Sequence, residues 1–196
     1  KSIEQYVKTL SFEQIAERIR KEKGFSMETT PLEPVTTSDR QTFTYEDGKN
    51  AQDTSGAYLE FTLHFMAAKD MVVHLTSANS ESGAEDGTAV MSENNALPAS
   101  MRISFTADGT TWIYDPGMEG TSTTEGSEKT FGLPGADAMN INNDNAMFSL
   151  KEGVNKEVKV YIWMEGTDPA CTDELKGSDY SIRLRFTGDK TDEQNS

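Results

Sequence analysis

The chain contains two histidines, His64 and His74, and each lies in a segment that alternates apolar and polar residues. We predict that residues 57–67 and 71–77 form a β-hairpin, because the apolar side chains of both segments then share one core face. In that register His64 lies directly opposite His74 on the outer face. Two facing imidazoles can share a divalent metal ion, although a catalytic zinc needs a third ligand. The alternative is a pair of partly exposed polar side chains with no cofactor.

A second candidate site lies on two strongly alternating segments near the C-terminus, residues 158–164 and 180–186. One set of alternate residues is apolar and predicts a core face on each segment. The opposite set contains Tyr161, Trp163, Arg183 and Arg185. Tryptophan and arginine combine flat apolar area with directional donors, which suits a glycan ring or a protein interface. The alternative is structural, with Trp163 packed beneath an arginine or under an N-terminal helix.

The loop between these two segments is acidic and carries the only cysteine of the chain, Cys171. Its carboxylates belong to Glu165, Asp168, Asp173 and Glu174. Carboxylates are calcium ligands, but the spacing differs from the D-x-[DN]-x-[DN]-G pattern, so a solvated acidic loop is the simpler interpretation. Cys171 has no histidine near it in sequence, and we interpret it as a partly buried thiol. We assign no catalytic residue and expect no enzymatic activity.

The balance of charge narrows the classes of partner. The 196 residues include 18 Lys plus Arg and 33 Asp plus Glu, which gives a net charge of −15. Such a charge repels nucleic-acid phosphates and anionic lipid headgroups, so we expect neither as a partner. No run of apolar residues approaches the roughly 20 that a membrane-spanning helix needs. Residues 1–24 carry six basic and four acidic groups, so a mildly basic arm precedes an acidic body.

The chain is predicted to have three parts, which are a helical arm, a β-sandwich domain and a disordered tail at residues 1–24, 25–188 and 189–196. In the arm, Ser11 and Gln14 form a capping box before a short apolar stripe at helical spacing, which predicts a helix over residues 11–24. Residues 25–40 contain two prolines and many threonines, which favours an extended connector without regular pairing.

The clearest strand pairing is predicted around Asp108-Gly109. This dipeptide suits a two-residue type I′ turn, because both central residues need a positive φ. The register then places Phe105 opposite Trp112 and Ile103 opposite Tyr114, all on one core face. Together with the other alternating segments, this predicts an all-β fold, a two-sheet jelly-roll-like sandwich preceded by the short N-terminal helix, with full closure of the sheets as the alternative.

The string VYIWMEGTDPACTDEL and the strand that follows it, within residues 160–186, resemble the C-terminal segment of secreted Gram-positive proteins of the TasA and camelysin-like group. Residues 101–117, MRISFTADGTTWIYDPG, carry a weaker likeness. The resemblance implies export by a leader peptide, a jelly-roll fold and a role as a biofilm-matrix fibre subunit or related surface protein. It brings no residue-level function. The metallopeptidase activity of some members is not carried over, because the chain lacks H-E-x-x-H.

Three functional hypotheses follow. The first is a secreted, non-enzymatic protein of the cell surface or biofilm matrix, whose arm at residues 1–24 docks into an apolar groove or onto a sheet edge of another copy. The second is a carbohydrate-binding module that uses the face around Trp163 or a concave surface of the jelly roll. The third is a metal-dependent hydrolase of the camelysin-like sort, in which both histidines are ligands.

Overall fold

The computed structural model describes residues 10–11, 32–52, 56–76, 87–118, 121–133, 146–175 and 177–190, and within these ranges most of the chain is β-strand. The strands are β1 (Leu10–Ser11), β2 (Pro34–Val35), β3 (Tyr58–Phe65), β4 (Met71–Leu75), β5 (Ala89–Ser92), β6 (Met101–Ala107), β7 (Thr110–Tyr114), β8 (Ser122–Glu125), β9 (Glu128–Phe131), β10 (Ala146–Leu150), β11 (Lys156–Glu165), β12 (Tyr180–Leu184) and β13 (Phe186–Lys190). Between them lie one helical turn, α1 (Leu97–Ser100), and two 3₁₀ turns, Pro116–Met118 and Asp173–Leu175.

The larger sheet is built around β11, which has neighbours along both of its edges. β6 pairs antiparallel with one edge, while β3 pairs antiparallel with the other and β2 continues that edge in parallel. Beyond β6 the strands follow in the order β7, β9 and β8. A strand covered on both faces must be apolar on both, and residues 160–164 of β11 are all buried.

Two three-stranded sheets form the opposite layer, one with the order β10, β4, β13 and the other with the order β1, β12, β5. They meet at Arg185, which lies between β12 and β13. Its carbonyl oxygen accepts a hydrogen bond from the Thr76 main-chain N–H at 2.9 Å. One hydrophobic core contains residues of the larger sheet and of this opposite layer.

Aromatic rings join the two layers across this main core. Phe186 of β13 meets Phe105 of β6 with 5.7 Å between ring centroids, and Phe148 of β10 meets Trp112 of β7 at 5.8 Å. Both pairs are edge-to-face, a geometry that adds about 0.5–1.5 kcal/mol to the gain from area burial. The predicted all-β sandwich is thereby confirmed.

The predicted Asp108-Gly109 turn is present and sets the register of β6 against β7. Asp108 and Gly109 have φ values of 51° and 78°, both in the left-handed region that a type I′ turn requires. The predicted cross-strand partners are confirmed as Phe105 with Trp112 and Ile103 with Tyr114. Local turn chemistry and the apolar pattern therefore specify the same hairpin.

The predicted hairpin between residues 57–67 and 71–77 is wrong, although each segment forms a strand. β3 pairs with β11 in the larger sheet, whereas β4 pairs with β10 and β13 in the opposite layer. The connection between them crosses from one layer to the other. Ala67 O accepts the Gly153 main-chain N–H at 2.8 Å, which holds this crossing to the β10–β11 connection. Alternation decides which face of a strand is buried, but it leaves the identity of the neighbouring strand open.

A second, smaller core lies on the other face of the larger sheet, and a covering segment, residues 32–52, encloses it. Within this covering segment β2 pairs with the end of β11, and Thr36 forms a bridge with Thr44. The predicted lack of regular pairing over residues 25–40 is therefore wrong at β2. The second core consists of Val35, Phe43, Ala51, Ala57, Tyr58, Ile113, Tyr161 and Trp163.

Polar contacts hold a tight turn of the covering segment in place. The Asp39 carboxylate accepts main-chain N–H bonds from Thr42 and Gln41 at 2.7 and 2.8 Å, and these bonds lower its pKa to about 2. The neighbouring Arg40 donates to the Glu128 carboxylate of β9 at 2.7 Å. The covering segment is thus anchored to the larger sheet at β9 as well as at β11.

The two predicted ends of the sandwich lie only partly within the described residues. The predicted helix at residues 11–24 falls outside them apart from Ser11, which pairs in β1. At the other end β13 continues to Lys190, so this strand includes the first two residues of the predicted tail. Over the described ranges, the structure has no helix with the length and apolar character needed to cross a membrane.

Candidate functional site

The predicted aromatic and cationic face is not formed, because its two aromatic residues are buried. Tyr161 and Trp163 are 3% and 1% exposed, and the ring of Phe43 lies over both, with centroid distances of 5.3 and 5.4 Å. The Trp163 indole N–H donates to the Glu165 carboxylate at 2.9 Å. The structural alternative for Trp163 holds, but the covering segment encloses it instead of a helix or an arginine.

The two arginines of that predicted face lie in the opposite layer and make structural contacts there. The Arg183 Nε donates to the carbonyl oxygen of Gly87, just before β5. The main-chain N–H of Arg185 donates to the Thr88 hydroxyl at 2.9 Å. These contacts hold the start of β5 beside β12, so the four predicted residues serve two separate regions of the fold. The sequence did contain a signal for the burial of Tyr161 and Trp163, because a strand with large apolar residues on both faces is typical of a strand that is covered on both faces.

The two histidines do not face each other, because β3 and β4 belong to different sheets. The His64 side chain is 55% exposed, with its Nδ1 3.8 Å from a Glu157 carboxylate oxygen and 3.3 Å from the Asn155 amide. His74 is buried, at 4% exposed. The described part of the chain also contains no group of three or more His, Cys, Asp and Glu placed to hold a metal ion. The geometric argument for a shared metal is therefore lost.

The carboxylates of the predicted acidic loop do not converge on one point. Glu165 accepts hydrogen bonds from the Trp163 indole and from the Thr167 hydroxyl, at 2.9 and 2.8 Å. Asp168 accepts the Ala170 main-chain N–H at 2.7 Å and forms an ion pair with Arg102. Asp173 and Glu174 begin a 3₁₀ turn at the surface. Two of the four carboxylates therefore shape the loop.

A charged cluster that the sequence did not predict joins three parts of the fold. Arg102 of β6 lies 3.1 Å from the Asp115 carboxylate through its Nε, and it also contacts Asp168. Its Nη1 donates to the carbonyl oxygens of Ala99 and Met101 at 2.7 and 2.9 Å. The Arg102 and Asp115 side chains are only 13% and 9% exposed, so charges that are mostly removed from water need these partners.

Burial also alters the acidity of this cluster. It raises the pKa of the Asp115 carboxyl, while the Arg102 guanidinium and the Gly117 main-chain N–H, at 2.8 Å, oppose the rise. Nothing in the sequence marks these groups as neighbours, since they lie on β6, after β7 and in the loop after β11. The cluster is a structural clamp, because its charged groups bond to one another and to the main chain.

An open cleft of about 1260 Å³ lies between the covering segment and the acidic loop. Its walls carry the carboxylates of Glu33, Glu46, Asp47 and Asp173, together with Lys49 and the half-buried Cys171. Lys49 is already paired with Asp47 at 2.5 Å. The acidic walls would favour a cationic ligand over an anionic one, but among the described lining residues no histidine accompanies the thiol.

Within the described residues, two of the sheet edges offer a specific way to receive a strand from a partner. At the first edge, β1 pairs antiparallel with β12, with Leu10 opposite Leu184 and Ser11 opposite Arg183. At the second edge, β3 pairs with β11 on one side and with no other described strand on its outer side. Unpaired or lightly paired strand edges bind further strands through main-chain hydrogen bonds.

Comparisons with protein-family models, with curated proteins and with solved structures return no match.

Proposed function

We propose that this protein is a secreted, non-enzymatic structural or adhesive component of a cell surface or extracellular matrix, and that its copies associate through the N-terminal arm. The observation that carries this proposal is the pairing of Leu10–Ser11 with Leu184 and Arg183 of β12. Here a short piece of the arm adds a strand to a sheet edge. The secreted setting rests on the resemblance of residues 160–186 to the TasA and camelysin-like group.

The same edge can accept the arm of a second copy, because strand addition depends on main-chain hydrogen bonds that are identical within and between chains. Exchange of an identical element between protomers is a low-cost route to association. Charge favours the exchange as well, since residues 1–24 carry a net charge of +2 and the rest of the chain −17. Each copy would then offer one arm and one acceptor edge, an arrangement that extends from copy to copy.

The two other functional hypotheses lose the particular residues that were predicted for them. A sugar ring cannot stack on Trp163 while the covering segment encloses the indole. A shared metal at His64 and His74 needs facing strands, and β3 and β4 are not paired. Neither hypothesis gains a specific observation elsewhere among the described residues.

Disulfide trapping between separate chains tests the exchange. In a Cys171→Ser background, one preparation carries Ser11→Cys and a second carries Arg183→Cys. Residues directly opposite in an antiparallel pair have Cα atoms about 4.5–5.5 Å apart, within disulfide range. When the two preparations are mixed under mild oxidation, arm exchange predicts a mixed disulfide dimer on a non-reducing gel. Deleting residues 1–24 from the unmodified chain should remove the part of its self-association, seen by light scattering, that depends on the arm.

The control is a single chain that carries both Ser11→Cys and Arg183→Cys. If its disulfide forms only within the chain and the mixed preparations stay monomeric, the arm pairs only with its own body and the proposal is wrong. A ladder of linked oligomers from the doubly substituted chain supports it. As a further control, Glu125→Cys at an exposed position of the edge strand β8 replaces Arg183→Cys in the mixture, and it should not capture the arm.

A further inference from the structure

Among the strands that border a sheet in the described structure, β3 is the longest, with eight residues. The opposite edge of the same sheet ends in β8, which has four residues, and the pairing of the edge strand β10 with β4 contains a register shift. β3 is neither short nor irregular, because it has eight residues and pairs with β11 without interruption along its whole length. Proteins usually keep edges short, bulged or charged to prevent pairing with other chains. A long and regular edge that no described strand covers therefore indicates a place where pairing is used.

Apolar side chains at this edge are incompletely covered. Leu59, Phe61, Leu63 and Phe65 point towards the main core, yet Phe61 and Leu63 in the middle of the strand are only half-buried. Met66, which follows the strand directly, is 54% exposed. A further strand along β3 would remove these groups from water, at a gain of about 25 cal/mol per Å² of apolar surface.

The geometry points to a second copy of this chain as the occupant, and we propose that β3 pairs antiparallel with β3 of that copy around a two-fold axis at Thr62. In this register each Phe61 lies opposite Leu63 of the second copy, on the core face. Each Glu60 lies opposite His64 of the second copy, on the outer face. The pairing continues the larger sheet across the axis, and it differs from the arm contact at β12.

The choice of register follows from the side chains. Registers that keep the apolar residues on one face shift each copy in steps of two residues, since a shift of one places apolar side chains opposite polar ones. If the register is shifted by two residues in one direction, Glu60 lies opposite Thr62. If it is shifted by two in the other direction, Glu60 lies opposite a position beyond the last residue of the strand. A further shift places Glu60 opposite Glu60, or His64 opposite His64, with like groups facing each other. Only the register centred on Thr62 sets Glu60 opposite His64.

Charges on the neighbouring strand extend this complementarity. Lys159 of β11 lies 2.9 Å from Glu60, and Glu157 of β11 lies 3.8 Å from His64. Across the proposed interface the outer face therefore presents, in order, a cation, a carboxylate, an imidazole of the second copy and a carboxylate of the second copy. In this row each imidazole lies between two carboxylates, that of Glu157 in its own chain and that of Glu60 in the second copy.

A cysteine at the two-fold axis tests this interface. In a Cys171→Ser background, Thr62→Cys places two identical thiols opposite each other, and oxidation should shift the full-length chain from the monomer band to the dimer band. A cysteine at position 60 lies about four residues along the strand from position 60 of the second copy, and the same holds for position 64. At 3.3 Å per residue this separation is roughly 13 Å, so neither Glu60→Cys nor His64→Cys alone should form a disulfide between two copies. A mixture of these two preparations should give the mixed dimer. A monomeric Thr62→Cys chain would overturn the proposal, as would equal self-linking at all three positions.

A charge substitution gives a second and independent readout. Thr62→Glu faces Lys159 within its own chain, which protects the fold, but it brings two carboxylates together at the axis. In size-exclusion chromatography with light scattering, we expect the unmodified chain to elute as a dimer or larger and Thr62→Glu to lose this contact. Thr124→Glu is the matched control, because Thr124 is an exposed residue of the edge strand β8 that faces Lys129 of β9. Unchanged association in Thr62→Glu would contradict the two-fold interface while leaving arm exchange untouched.

Discussion

At the scale of single residues, the Arg102 cluster is where burial and charge compete most strongly. The Arg102 guanidinium bonds to two carboxylates and two carbonyl oxygens, so its charge is well satisfied. Asp115 shares that cation with Asp168 and is more buried than either partner. Its pKa is raised because burial outweighs the attraction of Arg102.

This cluster gives a pH prediction with a defined sign. The pKa of folded Asp115 lies above its ordinary value of 3.8, so the folded chain holds the proton over a range in which the unfolded chain has released it. Stability contributed by this residue therefore falls as pH rises above about 4. Asp115→Asn removes the titration while keeping an acceptor for the Gly117 N–H. We expect the unfolding free energy of the unmodified chain, minus that of the variant, to decrease from about pH 3 to about pH 6 in urea titrations. A difference that increases with pH would contradict this account.

At the scale of elements, the β6–β7 hairpin is the element whose structure is most fully specified by its own local sequence. The turn needs two residues with positive φ, and Asp108 with Gly109 provides them. The outer faces of both strands are also matched, with the hydroxyls of Thr106 and Thr111 2.9 Å apart across the pair. The hairpin is thus specified by its turn, its apolar face and its outer face together.

The turn makes a prediction about stability. Gly109 has a φ of 78°, and a Cβ added there would meet no heavy atom within 4 Å beyond its chain neighbours, so Gly109→Ala introduces backbone strain alone. We expect a loss of about 1–2 kcal/mol in unfolding free energy by chemical denaturation. Asp108→Asn is the control, because asparagine tolerates positive φ and Asn-Gly is a favoured type I′ pair. A loss in the control would measure the Lys156 contact of Asp108, and an unchanged stability in Gly109→Ala would contradict the role of the positive φ.

At the scale of the whole molecule, the larger sheet is covered on both faces. The opposite layer encloses the main core, and the covering segment encloses the second core. Each core contains one tryptophan, with Trp112 in the first and Trp163 in the second. Because β11 and β7 contribute side chains to both cores, we expect the two to unfold together.

Fluorescence of single-tryptophan chains tests this coupling. Trp112→Phe leaves only the reporter of the second core, and Trp163→Phe leaves only that of the main core. After correction for the stability change measured by circular dichroism in each variant, fluorescence and circular dichroism should give coincident transitions in both chains. An earlier fluorescence transition in the Trp112→Phe chain alone would mean that the covering segment detaches first.

A truncation in the covering segment tests its energetic weight. Phe43 is 1% exposed and stacks on Tyr58 with 4.2 Å between centroids. We expect Phe43→Ala to lower the unfolding free energy by about 3–5 kcal/mol, the range for buried phenylalanine. Phe131→Ala in the main core, where the side chain is 0% exposed, is the matched comparison. A loss well below about 1 kcal/mol at Phe43 would show that the segment is only a connector.

The amino-acid sequence by itself determined the local features of this protein. It specified the buried faces of β3, β11 and β12, the type I′ turn and the β6–β7 register, because these depend on side-chain period and on the φ preferences of adjacent residues. It did not reveal the short strands β5 and β8, which lie within segments whose composition is typical of loops. Their place comes from main-chain pairing with β12 and β9, to which their own side chains contribute little signal.

Only the tertiary structure decided which strands are neighbours and which faces are covered twice. A strand with one apolar face is satisfied by any apolar partner, so β3 pairs with the distant β11 instead of the adjacent β4. For the same reason the pattern around Trp163 is compatible with an open face, although the covering segment encloses it in the fold. The Arg102 cluster and the open edge of β3 both arise from contacts, or their absence among described strands, between residues far apart in the chain. Such long-range relations depend on how the layers pack, which no local pattern encodes.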